Sequence, residues 1–158
     1  MSIPIEINKR LTRAYTKWVG TPYVSGQSVP GPQGGVDCVR ICDLVLQEAL
    51  GLTLEPLPRH AQDAAFHDPK ITAEMQRLLF RRFNLRNVEE EERPRALDII
   101  VCSQIMGSGP ASNDGHHLIL CVSGNQCIDA WPGLGVRKLG MGAVLMGFNI
   151  HRIWRPTL

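Results

Sequence analysis

A glycine-rich segment that runs directly into an almost wholly apolar stretch constrains the fold of this chain more than any other feature. Residues 34–36 lead into Asp37 and Cys38, and the stretch 39–50 leaves little polar face. A helix that is apolar on most sides is buried at the centre of a fold. We therefore expect residues 37–50 to form the central helix, with Asp37 as its N-cap and Gly51 closing its C-terminus.

Cys38 would lie in the first turn of this helix, at the positive end of the helix dipole. That position favours the thiolate, which is the nucleophilic form of cysteine. Our central hypothesis is that Cys38 is a catalytic nucleophile held on a rigid element. The alternative is a small buried hydrophobic residue, because free cysteine is among the most buried residue types.

Length and composition exclude several classes of protein. The 158 residues suit one domain, 1–158, and carry a net charge of +2. The basic residues are scattered, which argues against nucleic acid as a partner. No apolar run approaches the roughly 18 residues of a membrane span. Residues 1–6 lack the basic and apolar start of a secretory signal, so we expect a protein made in the cytoplasm without a signal peptide.

Five cysteines are present, an odd number, and four of them lie inside apolar segments. This pattern favours buried free thiols in a reducing compartment over a disulfide framework. A zinc site built from Cys102, Cys121, Cys127 and a histidine is conceivable, but the spacing matches no usual pattern. The sequence therefore predicts no metal and no cofactor.

The order of the periodic segments predicts an α+β domain with an antiparallel sheet. Apolar spacings of three and four indicate helices early in the chain, whereas short apolar runs after Pro94 indicate strands joined by hairpins. A long loop, 20–35, holds Tyr23, either as an anchor on the core or with its hydroxyl near Cys38. The predicted helices are 8–18 (capped by Asn8), 37–50, 60–67 and 72–80, and the predicted strands are 97–102, 117–122, 127–131, 136–139 and 148–154.

The hairpin between the second and third predicted strands decides whether a histidine and a carboxylate can meet. Asp129 lies within an apolar strand and needs a partner, because an unpaired buried charge is costly. A two- or four-residue loop would place His117 and Asp129 on opposite faces, whereas a three-residue loop, 123–125, makes them diagonal neighbours on one face. We predict the three-residue loop, closed by Asn125 in the left-handed region, and His117 rather than His116 at the site. The pair would either serve a nucleophile or only neutralise a buried charge.

Several short motifs follow one another along about residues 18 to 131, and further ones close the chain. They are Gly20-Thr21-Pro22-Tyr23, Asp37-Cys38, Leu57-Pro58-Arg59, Ala96-Leu97-Asp98-Ile99-Ile100-Val101, His117-Leu118-Ile119-Leu120-Cys121-Val122 and Asp129-Ala130, then Pro132-Gly133, Gly135-Val136 and Arg152-Ile153-Trp154-Arg155-Pro156. In this order the first six resemble the NlpC family of papain-like cell-wall cysteine peptidases. The closing motifs resemble family members encoded in phage tail gene clusters.

The resemblance implies a papain-like fold, in which the helix that carries the nucleophile packs on an antiparallel sheet that carries the base. It implies Cys38 as nucleophile, His117 as base and Asp129 as the third member of a Cys-His-Asp triad, with Tyr23 and Asp37 in supporting positions. The backbone amide of Cys38 would help to bind the oxyanion. The resemblance also implies hydrolysis of peptide bonds in peptidoglycan stem peptides, next to D-glutamate and a diamino acid.

Three positions depart from the family pattern. Val39 and Arg40 stand where the family has Ser-Gly, and Leu97 stands where it has glycine. These changes leave the predicted nucleophile and base in place and bear on substrate preference. We expect Arg40, and Trp131 at the end of the strand that carries Asp129, to contact substrate.

The sequence thus predicts a cysteine peptidase that acts on peptidoglycan and is associated with a phage tail or a prophage. Its expected partners are peptidoglycan stem peptides and phage tail proteins, and its expected location is the virion. Two alternatives stay open. One is a structural component of the tail or tail tip with weak or lost peptidase activity, and the other is an amidase or acyltransferase on the same fold.

Overall fold

A buried helix and a six-stranded antiparallel sheet form the framework of the protein. The computed structural model describes residues 3–59, 69–105 and 117–158, so the predicted helix 60–67 and His116 lie outside the described residues. The helices are α1 (Ile5–Trp18), α2 (Cys38–Leu50), α3 (Pro69–Arg82) and α4 (Met141–Gly147). The strands are β1 (Ser28–Val29), β2 (Gly35–Val36), β3 (Leu85–Asn87), β4 (Ile99–Gln104), β5 (His117–Cys121), β6 (Gln126–Trp131), β7 (Gly135–Gly140) and β8 (Phe148–Pro156).

The central helix α2 begins and ends where the sequence predicts. Asp37 caps it, because its side chain accepts a hydrogen bond from the Arg40 amide. Gly51 follows the last turn with φ 69°, in the left-handed region that glycine adopts without strain. Ile41, Val45 and most other residues of α2 are buried between α1 on one side and the sheet on the other.

The flanking helices begin earlier than predicted. Helix α1 starts at Ile5, so Asn8 is not its cap but lies in its first turn, where its amide donates to the carbonyl of Pro4 at 3.0 Å. Helix α3 starts at Pro69 rather than at residue 72, and proline is well suited to the first helical position because it needs no hydrogen-bond acceptor there. In both cases a proline sets the helix start.

The sheet has the strand order β3-β8-β4-β5-β6-β7, and all its neighbouring strands are antiparallel. The fold is therefore the predicted α+β class. The five predicted strands are present with shifted ends, while β3, helix α4 and the small β1–β2 hairpin within the loop 20–35 were not predicted.

Alternating side chains of the sheet build two apolar clusters. Residues such as Ile99, Leu118 and Leu120 pack on the face that α2 covers. Their neighbours in sequence pack on the opposite face with Val144 of α4, and these are Ile100, Cys102, Ile119, Cys121 and Cys127. All five cysteines are buried free thiols. Among the described residues, no helix combines the length and apolarity that crossing a membrane requires.

The β5–β6 hairpin has the register that the parity argument predicts. Leu120 lies opposite Ile128, and the Val122 amide donates to the carbonyl of Gln126 at 2.9 Å, which leaves residues 123–125 as the loop. The predicted closing residue is wrong, however, because Asn125 does not have a positive φ.

The Ser123 side chain closes this loop instead. Its hydroxyl accepts hydrogen bonds from the amides of Asn125 at 3.2 Å and Gln126 at 3.0 Å. A serine turn of this kind satisfies the backbone without the left-handed residue that the prediction assumed.

Leu97, which immediately precedes strand β4, has φ 76° although its side chain is buried. A non-glycine residue in this region costs roughly 1–2 kcal/mol. The conformation is held on both sides, since the Leu97 amide donates to the Cys121 carbonyl and the Cys121 amide donates to the Asp98 carbonyl, both at 2.8 Å. The family that this sequence resembles carries glycine at this position, and glycine would adopt the same φ without strain.

At position 97 we expect the glycine variant to be more stable than the alanine variant, which is the reverse of the usual order. Both variants lose the buried leucine, at about 2–5 kcal/mol, but only glycine also relieves the backbone, which favours it by about 1 kcal/mol. Urea unfolding of both variants measures the difference. Leu120 is the matched control, because its φ is not positive and the glycine variant should there be less stable than the alanine variant. If the glycine variant were the more stable one at both positions, or the less stable one at both, the proposed backbone strain at Leu97 would be contradicted.

Candidate active site

The carboxylate of Asp37 organises the N-terminus of α2. One oxygen accepts the Arg40 amide at 2.8 Å, and the other accepts the Gly26 amide at 2.9 Å and the Arg40 guanidinium at 2.7 Å. Asp37 and Arg40 are both almost fully buried. Asp37 thereby ties the preceding loop to the helix and fixes the position of Cys38, the first residue of α2.

Arg40 has a different environment from the one expected for a substrate contact. Its residue is only 5% exposed, its guanidinium pairs with Asp37, and its second terminal nitrogen donates to the carbonyl of Pro58. The side chain therefore braces the N-terminus of α2 against the segment around Pro58. This burial leaves the guanidinium little surface with which to meet a substrate.

The Cys38 thiol is buried, with only 4% of the residue exposed. Its pKa is raised from 9.0 to about 12, mainly by burial and also by the charges of Asp37 and Asp129, against the opposing effect of the Leu118 backbone amide on the sulfur. The expectation that the helix dipole favours the thiolate is thus wrong for the resting protein. Desolvation outweighs the helix dipole, so the thiol is protonated at neutral pH.

We expect Asp37→Asn to increase the rate at which iodoacetamide modifies Cys38. Asparagine preserves the N-cap, while loss of the carboxylate removes a charge that raises the thiol pKa. In the wild type, the rate should keep rising tenfold per pH unit beyond pH 9, because the pKa lies near 12. Peptide mapping gives the rate, with Cys102 in the same protein as control, because Asp37 is not among the charges that raise the pKa of Cys102. An equal gain at Cys102, or none at Cys38, would contradict the electrostatic cause.

The sheet opens beside Cys38. Among the described residues, β5 and β6 pair only at Leu120–Ile128 and at Cys121–Cys127, although β6 continues to Trp131 in its pairing with β7. Helix α2 contacts both β5 and β6, and the Leu118 amide is directed to the Cys38 sulfur rather than across to β6. The N-terminus of α2 therefore meets the sheet where these two strands separate.

His117 and Asp129 form a buried pair at this opening. The Nε2 atom of His117 lies 2.8 Å from Oδ2 of Asp129, and the two residues are 4% and 0% exposed. Nδ1 of the same ring is buried and has no hydrogen-bond partner among the described residues. A ring held through Nε2 in this way leaves Nδ1 as the nitrogen that can take a proton.

Aromatic side chains hold the His117 ring on its other sides. Trp131 meets it edge-on with the ring centroids 4.8 Å apart, and Phe148 stacks on it at 5.6 Å. Trp131 was predicted to contact substrate, and the structure places it half-buried against the histidine. Phe148 at the start of β8 was not among the predicted site residues.

Arg137 is a second site residue, besides Phe148, that the sequence analysis missed. It lies directly opposite Asp129 across β6 and β7, and its Nε and Nη2 donate to the two carboxylate oxygens at 2.8 and 3.1 Å. Burial alone would raise the pKa of Asp129, but hydrogen bonds from His117 and Arg137 outweigh it and hold the pKa below its ordinary value. Applied to the hairpin around residues 132–134, the same parity argument would have found this partner.

Tyr23 also lies close to the nucleophile. Burial raises the pKa of its hydroxyl well above the ordinary value, and the charges of Cys38 and Asp37 raise it further. The backbone of Tyr23 bridges to Val36 of β2, which fixes the loop beside the start of α2. The structure thus brings Tyr23, Asp37 and Cys38 together.

The site offers acid–base and nucleophilic chemistry. Within the described ranges, no group of three or more histidine, cysteine, aspartate or glutamate side chains is arranged so that it could hold a metal ion. What does come together is a thiol at a helix N-terminus, an imidazole fixed by a carboxylate, and that carboxylate fixed by an arginine. This is the arrangement in which a base can activate a nucleophile.

Comparison with known proteins supports the fold. No protein-family model and no curated protein matches the sequence. Among solved structures, the chain is similar to a crystal structure from Staphylococcus aureus subsp. aureus Mu50, described as similar to a lipoprotein and of the NLP/P60 family. The TM-score is 0.57 at 20% identity, and the match covers all of this chain but 44% of that one. The likeness shows a shared papain-like fold, and the chain spans less than half the length of its neighbour.

Proposed function

We propose that this protein is a cysteine peptidase that hydrolyses peptide bonds in peptidoglycan stem peptides. The observation that carries the proposal is the buried His117 ring, fixed through Nε2 by Asp129 and with Nδ1 unpartnered, at the opening where the Cys38 thiol lies. A buried ring nitrogen without a partner is costly, and a histidine that only neutralised a carboxylate would not explain why Nδ1 is left unpartnered at this opening. The fold shared with an NLP/P60 protein agrees with this activity.

In the proposed reaction, Nδ1 of His117 takes the proton of the Cys38 thiol as the sulfur attacks the scissile carbonyl carbon. The resulting oxyanion is stabilised by the Cys38 backbone amide, in the first helical turn, where amides lack helical partners. His117 then passes the proton to the departing amine, which leaves a thioester on Cys38. Water, activated by His117, hydrolyses the thioester, releases the carboxylic acid and restores the thiol.

Asp129 and Arg137 support this cycle without touching the substrate. Asp129 holds the proton on Nε2 and stabilises the imidazolium, as the carboxylate of a catalytic triad does. Arg137 keeps that carboxylate ionised and oriented through its two hydrogen bonds. The high pKa of Cys38 means that proton removal accompanies attack, because little thiolate exists beforehand.

The substrate and the biological setting rest on sequence resemblance. The ordered motifs around Tyr23, Cys38, His117 and Asp129 favour peptidoglycan peptides, next to D-glutamate and a diamino acid. The closing motif 152–156 favours a role in a phage tail, with tail proteins as partners and the virion as location. The exposed Leu145 and Met146 of α4 offer an apolar surface to such partners.

Purified muropeptides test the proposal directly. The wild-type protein should release peptide fragments whose masses identify the bond that is cut, and Cys38→Ala should release none. Cys42→Ala is the matched control, because it removes another buried cysteine of the same helix and should retain cleavage. Cleavage by Cys38→Ala, or none by the wild type, would refute the proposal. Products that carry a transferred acyl group would favour an acyltransferase instead.

A further inference from the structure

A concave site lies where helix α3 faces strands β3 and β8, and none of its lining residues belongs to the site around Cys38. The cavity measures about 400 Å³ and is lined by Arg77, Phe80 and Arg81 of α3, Asn87 of β3, and Arg152 and Trp154 of β8. Neither these six residues nor the remaining lining residues, Ala73 and Gln76, carry a negative charge. The cavity is therefore strongly cationic in a chain whose net charge is only +2.

The arginines of this cavity differ from other arginines of the protein. Among the residues that the structure describes, five arginines have carboxylate partners, and these are Arg40, Arg82, Arg86, Arg137 and Arg155. Within the described part of the chain, Arg77, Arg81 and Arg152 form no ion pair and are exposed. Three guanidinium groups that share one cavity repel one another, so an external anion would be favoured there.

Rigid elements hold the cavity open. Arg77 and Arg81 are one helical turn apart and share a face of α3. Asn87 lies directly opposite Trp154 across β3 and β8, and Arg152 shares the sheet face of Trp154. The guanidinium of Arg152 lies over the Trp154 ring at 5.4 Å, and Phe80 meets that ring edge-on at 5.3 Å.

We propose that this cavity binds the phosphate group of a phosphate ester. A carboxylate presents two oxygens in one plane and is satisfied by a single arginine fork, whereas a phosphate presents several oxygens in a tetrahedron. Arginines on a helix and on a strand approach from different directions, which suits the tetrahedral group. The volume of about 400 Å³ leaves room beside the phosphate for the group esterified to it, next to the aromatic wall of Phe80. The inference is independent of the proposed peptidase activity.

An NMR titration tests this site with simple probes. Inorganic phosphate, methyl phosphate and dimethyl phosphate are added to the ¹⁵N-labelled full chain, with acetate as the carboxylate control. The Trp154 indole signal is the reporter, and those of Trp18 and Trp131 are internal controls. We expect a saturable shift at Trp154 with phosphate and methyl phosphate, and affinity at least about fivefold weaker for acetate, the scale of one modest charge contact.

The probes and variants separate the outcomes. Tighter binding of methyl phosphate identifies a monoester ligand, and tighter binding of dimethyl phosphate identifies the diester of a polymer. Arg77→Gln and Arg152→Gln should each weaken phosphate binding about fivefold, whereas Arg13→Gln, an exposed arginine of α1, should not. Cys38→Ala should bind like the wild type. Equal affinities for acetate and phosphate, no effect of either cavity variant, or no shift at Trp154 would overturn the proposal.

Discussion

Replacing His117 with alanine is expected to lower kcat for muropeptide hydrolysis by about four orders of magnitude. The Cys38 pKa of about 12 leaves roughly one thiol in 10⁵ ionised at pH 7. Without a base, attack would depend on that small fraction and on proton loss to water. The departing amine would also lose its proton donor, so both halves of the reaction would slow.

Substitution of Asp129 should have a smaller effect that identifies its role. Asp129→Asn keeps the size of the side chain but removes the charge that stabilises the imidazolium, and it leaves Arg137 without its carboxylate. We expect kcat to fall by about 10²–10⁴ with KM nearly unchanged, because orientation and charge act in the transition state. A change confined to KM would instead indicate that Asp129 shapes the binding surface.

The control for both variants is His151 of β8, an exposed histidine whose ring pairs with Ser103 of β4 and not with Cys38, His117 or Asp129. His151→Ala should retain wild-type activity within about twofold, as expected for a surface substitution that is uncoupled from the site. Circular dichroism must show that each variant is folded. A folded His117→Ala protein with more than a tenth of wild-type activity would rule out His117 as the base.

The parts of the site that could be predicted are those set by local rules. The cap at Asp37 and the stop at Gly51 follow from helix chemistry, and the burial of α2 follows from its apolar surface. The meeting of His117 with Asp129 followed from strand parity alone, because one residue of loop length decides which face a side chain takes. These features need no knowledge of distant contacts.

The electrostatics of the site could not be predicted in the same way. The helix dipole at Cys38 is a local feature, whereas the desolvation that outweighs it comes from β5, β6 and the loop of Tyr23, which are far away in sequence. From its place in the sequence, Arg40 was expected to bring a positive charge to the substrate. Its burial and its contact with Pro58 depend on tertiary packing, which the local sequence does not indicate. Sequence patterns predict which residues are neighbours along a helix or strand better than they predict the tertiary environment of a side chain.

The outer strands were missed for a related reason. Strand β3 is short, and its two exposed residues give no alternation that would mark it as a strand. It forms because it pairs with β8, about 70 residues later in the chain, and β8 in turn inserts between β3 and β4. Helix α4 has three small residues, Gly142, Ala143 and Gly147, and only Val144 is buried, so it lacks a clear apolar stripe.

The largest loss of stability is expected from Asp98→Ala, at about 3–5 kcal/mol. Asp98 is fully buried, and both of its carboxylate oxygens accept from the guanidinium of Arg155 at 2.8 Å, while one also accepts the Arg95 amide at 2.9 Å. Removing the carboxylate leaves the buried guanidinium of Arg155 without this partner. The backbone carbonyl of residue 98, which accepts the Cys121 amide, is kept in the alanine variant, so the expected loss comes from the carboxylate alone.

Urea unfolding tests this expectation through a pair of variants. If the cost comes from an uncompensated buried charge, the double variant Asp98→Leu with Arg155→Met should recover most of the stability that Asp98→Ala loses, because an apolar pair needs no desolvated charge. Glu92, the other acidic partner of Arg155, would still be paired with Arg86. Glu6→Ala, which breaks the exposed pair with Lys9, is the matched control and should change stability by less than about 1 kcal/mol. A double variant as unstable as Asp98→Ala would show instead that the lost hydrogen bond from the Arg95 amide to the Asp98 carboxylate carries the effect.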